Sequence, residues 1–323
     1  MDKQLIVVTR KIPDAGLKLF EGRFQVKVFD RHGVVKPEDL KKMVRGAHAI
    51  LAELTDKIDD TVFSAAGPQL KVVANYAVGY DNIDLAAAKK RKIVITNTPG
   101  VLTEAVAEHT IALMMTAARR VVESDRFTRA GRYEGWEPEL LLGHEMQGKT
   151  LGIMGLGRIG GRVAEIAARG FGMKVIYYDN GNVNREMNTA LGAEAVSVRK
   201  LLTASDFISV HVPLTPQTKH LIGKREFESM KKTAILVNTS RGPVLDEKAL
   251  AYALSKKIIA GAGIDVFEFE PKITKELLKL ENIVMTPHTA SATIEARSAM
   301  SELAAKNIIN VLEGRAPVTP VKI

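Results

Sequence analysis

The sequence predicts an α/β protein made of two doubly wound parallel-sheet domains. Three observations predict it. Short β-rich runs alternate with amphipathic helical stretches in two separate series, as βαβ units require. A glycine hexad directly follows the first strand of the second series. The chain, 323 residues of which 46% are hydrophobic, is long enough to bury two cores without a covalent staple.

In the first series the β-rich runs are residues 5–8, 25–28, 49–52, 71–74 and 93–96, with helical patterns at 36–46 and 82–90. Thr98, Pro99 and Gly100 interrupt it, because proline and glycine punctuate regular structure. Residues 102–122 then read as one long apolar-rich helix. The second series runs through 151–154, 174–178, 207–210, 234–237, 259–264 and 283–285, with helical patterns between most of them. After Thr286, Pro287 and His288 the segment 291–313 is helical again and is free to return to the first lobe. No repeat of solenoid period and no low-complexity segment interrupts this order.

Composition removes several function classes. With no cysteine, the chain has no disulfide, thiolate metal site or cysteine nucleophile. A formal charge of +9 would suit nucleic acid, but the Lys and Arg residues are scattered and aromatics are only 5%. The densest cluster, Lys89 to Lys92, reads as a solvated helix end, and the basic balance suits small anions equally well. The first eight residues lack the layout of a secretion signal, and no apolar run approaches the span of a bilayer. The expectation is a cytoplasmic protein with no membrane or nucleic-acid partner.

The hexad Gly155-Leu156-Gly157-Arg158-Ile159-Gly160 lies between a strand and a helical stretch at 162–170. In that context Gly155 permits a tight turn, Gly157 lets backbone approach a pyrophosphate, and Gly160 lets helix and strand pack closely. The phosphates would sit at the positive helix end, over Arg158 and Ile159. The next strand ends at Asp179, whose carboxylate would accept hydrogen bonds from the ribose hydroxyls and repel a 2′-phosphate. NAD(H) is therefore expected and NADP(H) disfavoured, unless Arg185 folds over the ribose.

Several longer motifs resemble one family, the D-isomer-specific 2-hydroxyacid dehydrogenases, and within it the glyoxylate and hydroxypyruvate reductase branch. They are Asn75-Tyr76-Ala77-Val78-Gly79-Tyr80-Asp81-Asn82-Ile83-Asp84, the hexad, Asn238-Thr239-Ser240-Arg241-Gly242-Pro243, the run from Gly263 to Pro271, and Thr286-Pro287-His288. The resemblance covers nearly the whole chain. It implies a discontinuous, flavodoxin-like substrate domain (1–99 plus 289–323), a Rossmann nucleotide domain (100–288), and a cleft between them. It also implies a homodimer formed through the nucleotide domain, with the helix at 102–122 against the partner.

Reduction of a 2-oxo acid needs a clamp for the carboxylate, a proton for the carbonyl oxygen and a hydride donor at contact distance. Arg241 follows the strand at 234–237, where loops face the ligand crevice, and a guanidinium can hold a carboxylate while polarising its neighbour. His288 is the expected proton donor, since imidazole titrates near working pH. In the family a glutamate at the position of Glu270 hydrogen-bonds that histidine, which favours imidazolium. Val78 and Gly79 match the substrate loop, where backbone amides hold the carboxylate, and Leu54 resembles an apolar wall beside it. On the cofactor side the resemblance adds Thr103, His211 and Pro213, the last two along the adenosine pocket, Thr239 and Ser240 near the nicotinamide ring, and Asp265 on its amide.

His32, His48, His109, His144 and His220 form no metal-like spacing, so no metal is expected. Trp136 is open to two readings, reach into a neighbouring subunit's cleft or ordinary surface packing. Phosphite dehydrogenase is the rival enzyme, since Gly135 to Pro138 and Asn307 to Leu312 resemble it too, but Val78 stands where those enzymes carry a lysine. Phosphoglycerate dehydrogenase is disfavoured because many members add a C-terminal regulatory domain and this chain stops at Ile323. From another class, NAD-sensing corepressors share the fold; this chain lacks the tails that would carry their partner motifs.

Overall fold

Every strand of the first series finds a parallel neighbour. In the computed structural model, which describes residues 3–30, 33–181 and 191–323, β1 (Leu5–Val8), β2 (Gln25–Val28), β3 (Ala49–Ala52), β4 (Val72–Asn75) and β5 (Val94–Thr96) form one sheet in the order β2-β1-β3-β4-β5. All its pairings are parallel. The inner strands β3 and β4 are buried at every residue, as a parallel sheet covered on both faces demands, whereas edge strand β2 exposes alternate residues. Strand order reverses between β1 and β3, and ligands gather beyond the carboxyl ends of strands in such sheets. The loops after β3 and β4 carry Leu54 and Val78-Gly79.

The chain divides into two units, Met1–Leu102 with Ala292–Ile323 and Thr103–Ser291. The return of the C-terminal helix Ile294–Leu312 to the first unit has a local cause. Gly16 donates its N–H to Ser301 Oγ at 3.0 Å, and that hydroxyl donates to Pro13 O at 2.7 Å. A Cβ at Gly16 would lie 2.2 Å from Ser301 O, so only glycine lets the two helices approach this closely. Val321 then adds a backbone bond to Ile95 O.

In the second unit β6 (Thr150–Met154), β7 (Lys174–Tyr178), β8 (Glu194–Ala195), β9 (Phe207–Val210), β10 (Ile235–Asn238), β11 (Gly261–Ile264) and β12 (Ile283–Met285) are ordered β12-β11-β10-β9-β6-β7-β8. Two-residue β8 is exposed and carries no apolar pattern, which is why periodicity misses it. The switch point lies between β6 and β9, and the glycine hexad follows β6.

The expected helix over 102–122 is shorter than its pattern. It spans Thr103–Ala118 and a separate helix follows at Val121–Arg129. Arg120 breaks it in the left-handed region (φ 51), its guanidinium paired with both oxygens of Glu123 at 2.8 and 2.7 Å. No glycine or proline marks that break, so the apolar pattern runs past it. The inner face of Thr103–Ala118 buries Val106, Leu113 and Met114 within its own unit. At Gly263 of β11 a Cβ would meet that of Leu113 at 3.0 Å. Among the described residues no helix is long and apolar enough to cross a membrane.

Candidate active site

The three glycines of the hexad occupy three different environments. Gly155 has φ +94, and a Cβ there would lie 2.9 Å from the His211 carbonyl carbon, so the loop after β6 touches the loop after β9. At Gly160 a Cβ would lie 2.1 Å from Gly155 O, which enforces helix-on-strand packing. Gly157 has nothing within 4 Å of its would-be Cβ. It is the N-cap of Arg158–Phe171, a helix begun four residues earlier than the pattern suggests, and no side chain caps it. Open space in front of uncapped first-turn N–H groups, at Arg158 and Ile159, fits a diphosphate. The residues present therefore suit a dinucleotide.

Asp179 stands at the end of β7 and braces this loop. Its Oδ2 accepts the N–H of Leu156 at 2.9 Å and its Oδ1 that of Gly181 at 3.0 Å. Arg185 lies outside the described residues, as does His32. His211 Nε2 is 2.7 Å from Ser209 Oγ. Although part of His211 remains solvent-accessible, burial pushes its imidazole down to about 3, so it stays neutral. Pro213 is exposed two residues on, and Thr103 opens its helix half-buried.

After β10 the chain is folded around one buried side chain, Asn238. Its Oδ1 accepts from the N–H and the hydroxyl of Ser240, and its Nδ2 donates to Arg241 O at 2.9 Å. Arg241 is half-buried and donates from Nη1 to Ser240 O. Thr239 Oγ1 lies 2.8 Å from Thr110 Oγ1. At Gly242 a Cβ would fall 1.9 Å from the Phe267 carbonyl carbon. The loops after β10 and β11 are thus in backbone contact.

The loop after β11 brings up Glu270, whose Oε1 accepts the N–H of Phe267 at 2.9 Å and whose Oε2 lies 3.0 Å from His288 Nδ1. Both side chains are about a quarter exposed, at 28% and 25%. His288 adopts φ 55, and its N–H donates to Asp265 O at 2.8 Å. A left-handed conformation in a residue with a Cβ is strained, and such strain clusters at functional sites.

Asp265 is held from several sides. Its side chain is fully buried and its oxygens accept from Thr286 Oγ1 at 2.6 Å and from the N–H groups of Thr289 and Ala290 at 2.8 Å. Burial pushes its carboxyl up, but hydrogen bonds from His109, Thr286 and the two N–H groups win, and its pKa lies below the usual range. No carboxylate oxygen faces solvent to meet a nicotinamide amide in this conformation. What Asp265 organises is the loop that carries His288.

In the first unit, Leu54 is half-buried. Val78 O accepts from Asn97 Nδ2 at 2.8 Å and Gly79 O from Asn75 Nδ2 at 2.7 Å, and Asn75 pairs with Asn82 through both amides. With those carbonyls held, the N–H groups of Val78 and Gly79 donate to no protein acceptor among the described residues. Two such N–H groups suit a carboxylate.

Sequence reasoning missed four contributors. His109, given a bland reading, lies 3.0 Å from Thr286 Oγ1. Thr110 is wholly buried on the core face of its helix, and a polar residue on an apolar stripe was a usable signal. Asn238 and Gly242 were visible only as parts of a motif.

The description "D-isomer specific 2-hydroxyacid dehydrogenase, NAD binding domain" matches residues 111–290. The chain is 50% identical over 318 residues to the glyoxylate reductase of Korarchaeum cryptofilum, covering 98% of this chain and 95% of that one. It is similar to the solved structure of the TT0316 protein from Thermus thermophilus, with a TM-score of 0.92, 42% identity and coverage of 99% and 100%. It also resembles the NADPH-dependent glyoxylate/hydroxypyruvate reductase of Sinorhizobium meliloti, solved with NADP and malonate, with a TM-score of 0.86, 32% identity and coverage of 99% and 97%.

Proposed function

The chain belongs to the D-isomer-specific 2-hydroxyacid dehydrogenases, NAD-dependent oxidoreductases, and from that membership we propose that it reduces glyoxylate or hydroxypyruvate to the 2-hydroxy acid, D-configured where chiral, with NADH. The observation that carries the reading is the 3.0 Å contact of Glu270 with His288, beside a loop whose Phe267 is in backbone contact with Gly242, the neighbour of Arg241. A reduced nicotinamide, when bound, supplies the hydride. Arg241 holds the substrate carboxylate and polarises the adjacent carbonyl. Glu270 accepts the Nδ1–H of His288, which leaves Nε2 to give its proton to the carbonyl oxygen as that oxygen becomes a hydroxyl. In the first unit the substrate-binding residues are Val78 and Gly79, whose open N–H groups suit a carboxylate, and Leu54, which offers an apolar surface.

Gly157, Arg158 and Ile159 bind the diphosphate on a turn that Gly155 and Gly160 allow, with Thr103, His211, Pro213, Thr239 and Ser240 around the rest of the dinucleotide. Asp265 acts by fixing the loop of His288. Asp179 favours NADH, since a carboxylate repels a 2′-phosphate. The protein works in the cytoplasm as a homodimer joined through the second unit, where Met115, Val121, Tyr133, Trp136 and Leu142 are exposed.

The test is the initial rate of NADH absorbance loss with glyoxylate, hydroxypyruvate, pyruvate and longer 2-oxo acids, repeated with NADPH. Turnover of the smallest acids with NADH is expected. No turnover across the panel overturns the reading.

A further inference from the structure

We propose that Glu247 is a positioning residue for Glu270, a role that rests on the assignment of Glu270 above. Glu247 lies in the first turn of the helix Glu247–Ser255, which Asp246 caps, and it is almost wholly buried, with a relative exposure of 3%. A buried carboxylate persists only when its oxygens are satisfied. Here every acceptor contact goes to one loop. Oε2 accepts the N–H of Glu268 at 2.6 Å and Oε1 the N–H of Thr274 at 2.6 Å. Those two donors bracket Glu270.

The clamp is reciprocal. Glu268 Oε2 accepts the N–H of Glu247 at 3.2 Å, while its Oε1 lies 2.7 Å from His220 Nε2. His220 is itself anchored by its N–H to Pro243 O at 2.8 Å. The segment 268–274 is therefore tied at both ends to Glu247 and on its outer side to the loop of His220. Inside the segment, an isolated antiparallel bridge between Phe269 and Lys272, with Lys272 N–H donating to Phe269 O, helps to hold its shape. Arg241 has a further hold outside the segment, its carbonyl bonded by Asn238, so loss of the clamp displaces Glu270 from His288 more than it displaces the carboxylate clamp.

Glu247→Gln keeps the side-chain shape but turns one acceptor oxygen into an NH2 that faces an N–H. The full chain is assayed with glyoxylate and NADH, alone and in a Glu270→Gln background. Expected for Glu247→Gln is a kcat lower by about tenfold, a KM for glyoxylate changed by less than about threefold, and less than about twofold further loss once Glu270 is already Gln. A wild-type kcat, or a tenfold loss that persists in the Glu270→Gln background, overturns the proposal. A merely structural carboxylate would lower Tm without that split or that non-additivity. If Glu247→Gln does not fold, Glu247→Asp decides, since it keeps the charge but draws the carboxylate back from the two loop N–H groups. It should lower kcat by about threefold with the same non-additivity, and an unchanged kcat overturns the proposal. Full activity in Glu270→Gln alone would instead overturn the functional reading.

Discussion

Nδ1 of His288 lies 3.0 Å from Oε2 of Glu270, across 18 residues of chain. Neither side chain depends on the other alone for its place. Phe267 holds the second oxygen of Glu270, and the backbone of His288 is pinned to Asp265 O. The imidazole is thus presented with one nitrogen engaged and the other available.

Replacing His288 by Asn removes the proton donor without forcing the backbone, because asparagine tolerates the left-handed region better than most residues. The expected loss in kcat is about 10²–10⁴-fold. NADH affinity, read by quenching of nucleotide fluorescence, should stay near wild type. Unchanged turnover would remove the assignment.

Arg241→Ala should both raise KM and lower kcat, since the guanidinium acts on the bound acid and on the charge that develops during reduction. A charge-assisted hydrogen bond contributes about 1.5–3 kcal/mol, which corresponds to roughly 10–150-fold in kcat/KM. Steady-state kinetics with glyoxylate checks it, and a change confined to KM would mean uniform binding only.

For the cofactor, Asp179→Ala should shift the ratio of NADH to NADPH efficiency toward NADPH by about tenfold or more, equivalent to about 1.4 kcal/mol. The same change frees the N–H of Leu156, so NADH binding should also weaken. A ratio equal to wild type would count against Asp179 as the selector.

Glu53 predicts a pH effect on stability. Burial, with Asp56 beside it, pushes its carboxyl from the ordinary 4.5 up to about 7, against the pull of Arg10 and Arg297. Between those values the folded chain keeps a proton that the unfolded chain has lost, so this residue's contribution falls as pH rises. Glu53→Gln should therefore be the more stable form above pH 7, by about 1–3 kcal/mol, and lose that advantage below about pH 4.5. Thermal melts of both forms across that range check the sign.

How much was legible depended on distance along the chain. The hexad could be read because its spacing is local, and Gly155, Gly157 and Gly160 do sit in the turn, open and packed settings that the spacing implies. The contact of Gly242 with Phe267 could not be, because it exists only once β10 and β11 lie side by side. The open N–H groups of Val78 and Gly79 depend on Asn75 and Asn97 holding the carbonyls, which no pattern announces. The donors to Asp265, namely Thr286, Thr289 and Ala290, come from the segment after β12, more than 20 residues away, which no local pattern announces. The break at Arg120 is invisible because no glycine or proline stands at the left-handed residue.

The strained backbone at His288 has a meaning for how this chain evolves. A residue with a Cβ at φ 55 sits about 1–2 kcal/mol above its relaxed state, whereas glycine occupies that region freely. Heat survival and turnover therefore pull in opposite directions at this one codon. A lineage selected for heat resistance alone would drift away from histidine there, and a lineage that keeps it is one in which the chemistry is still under selection.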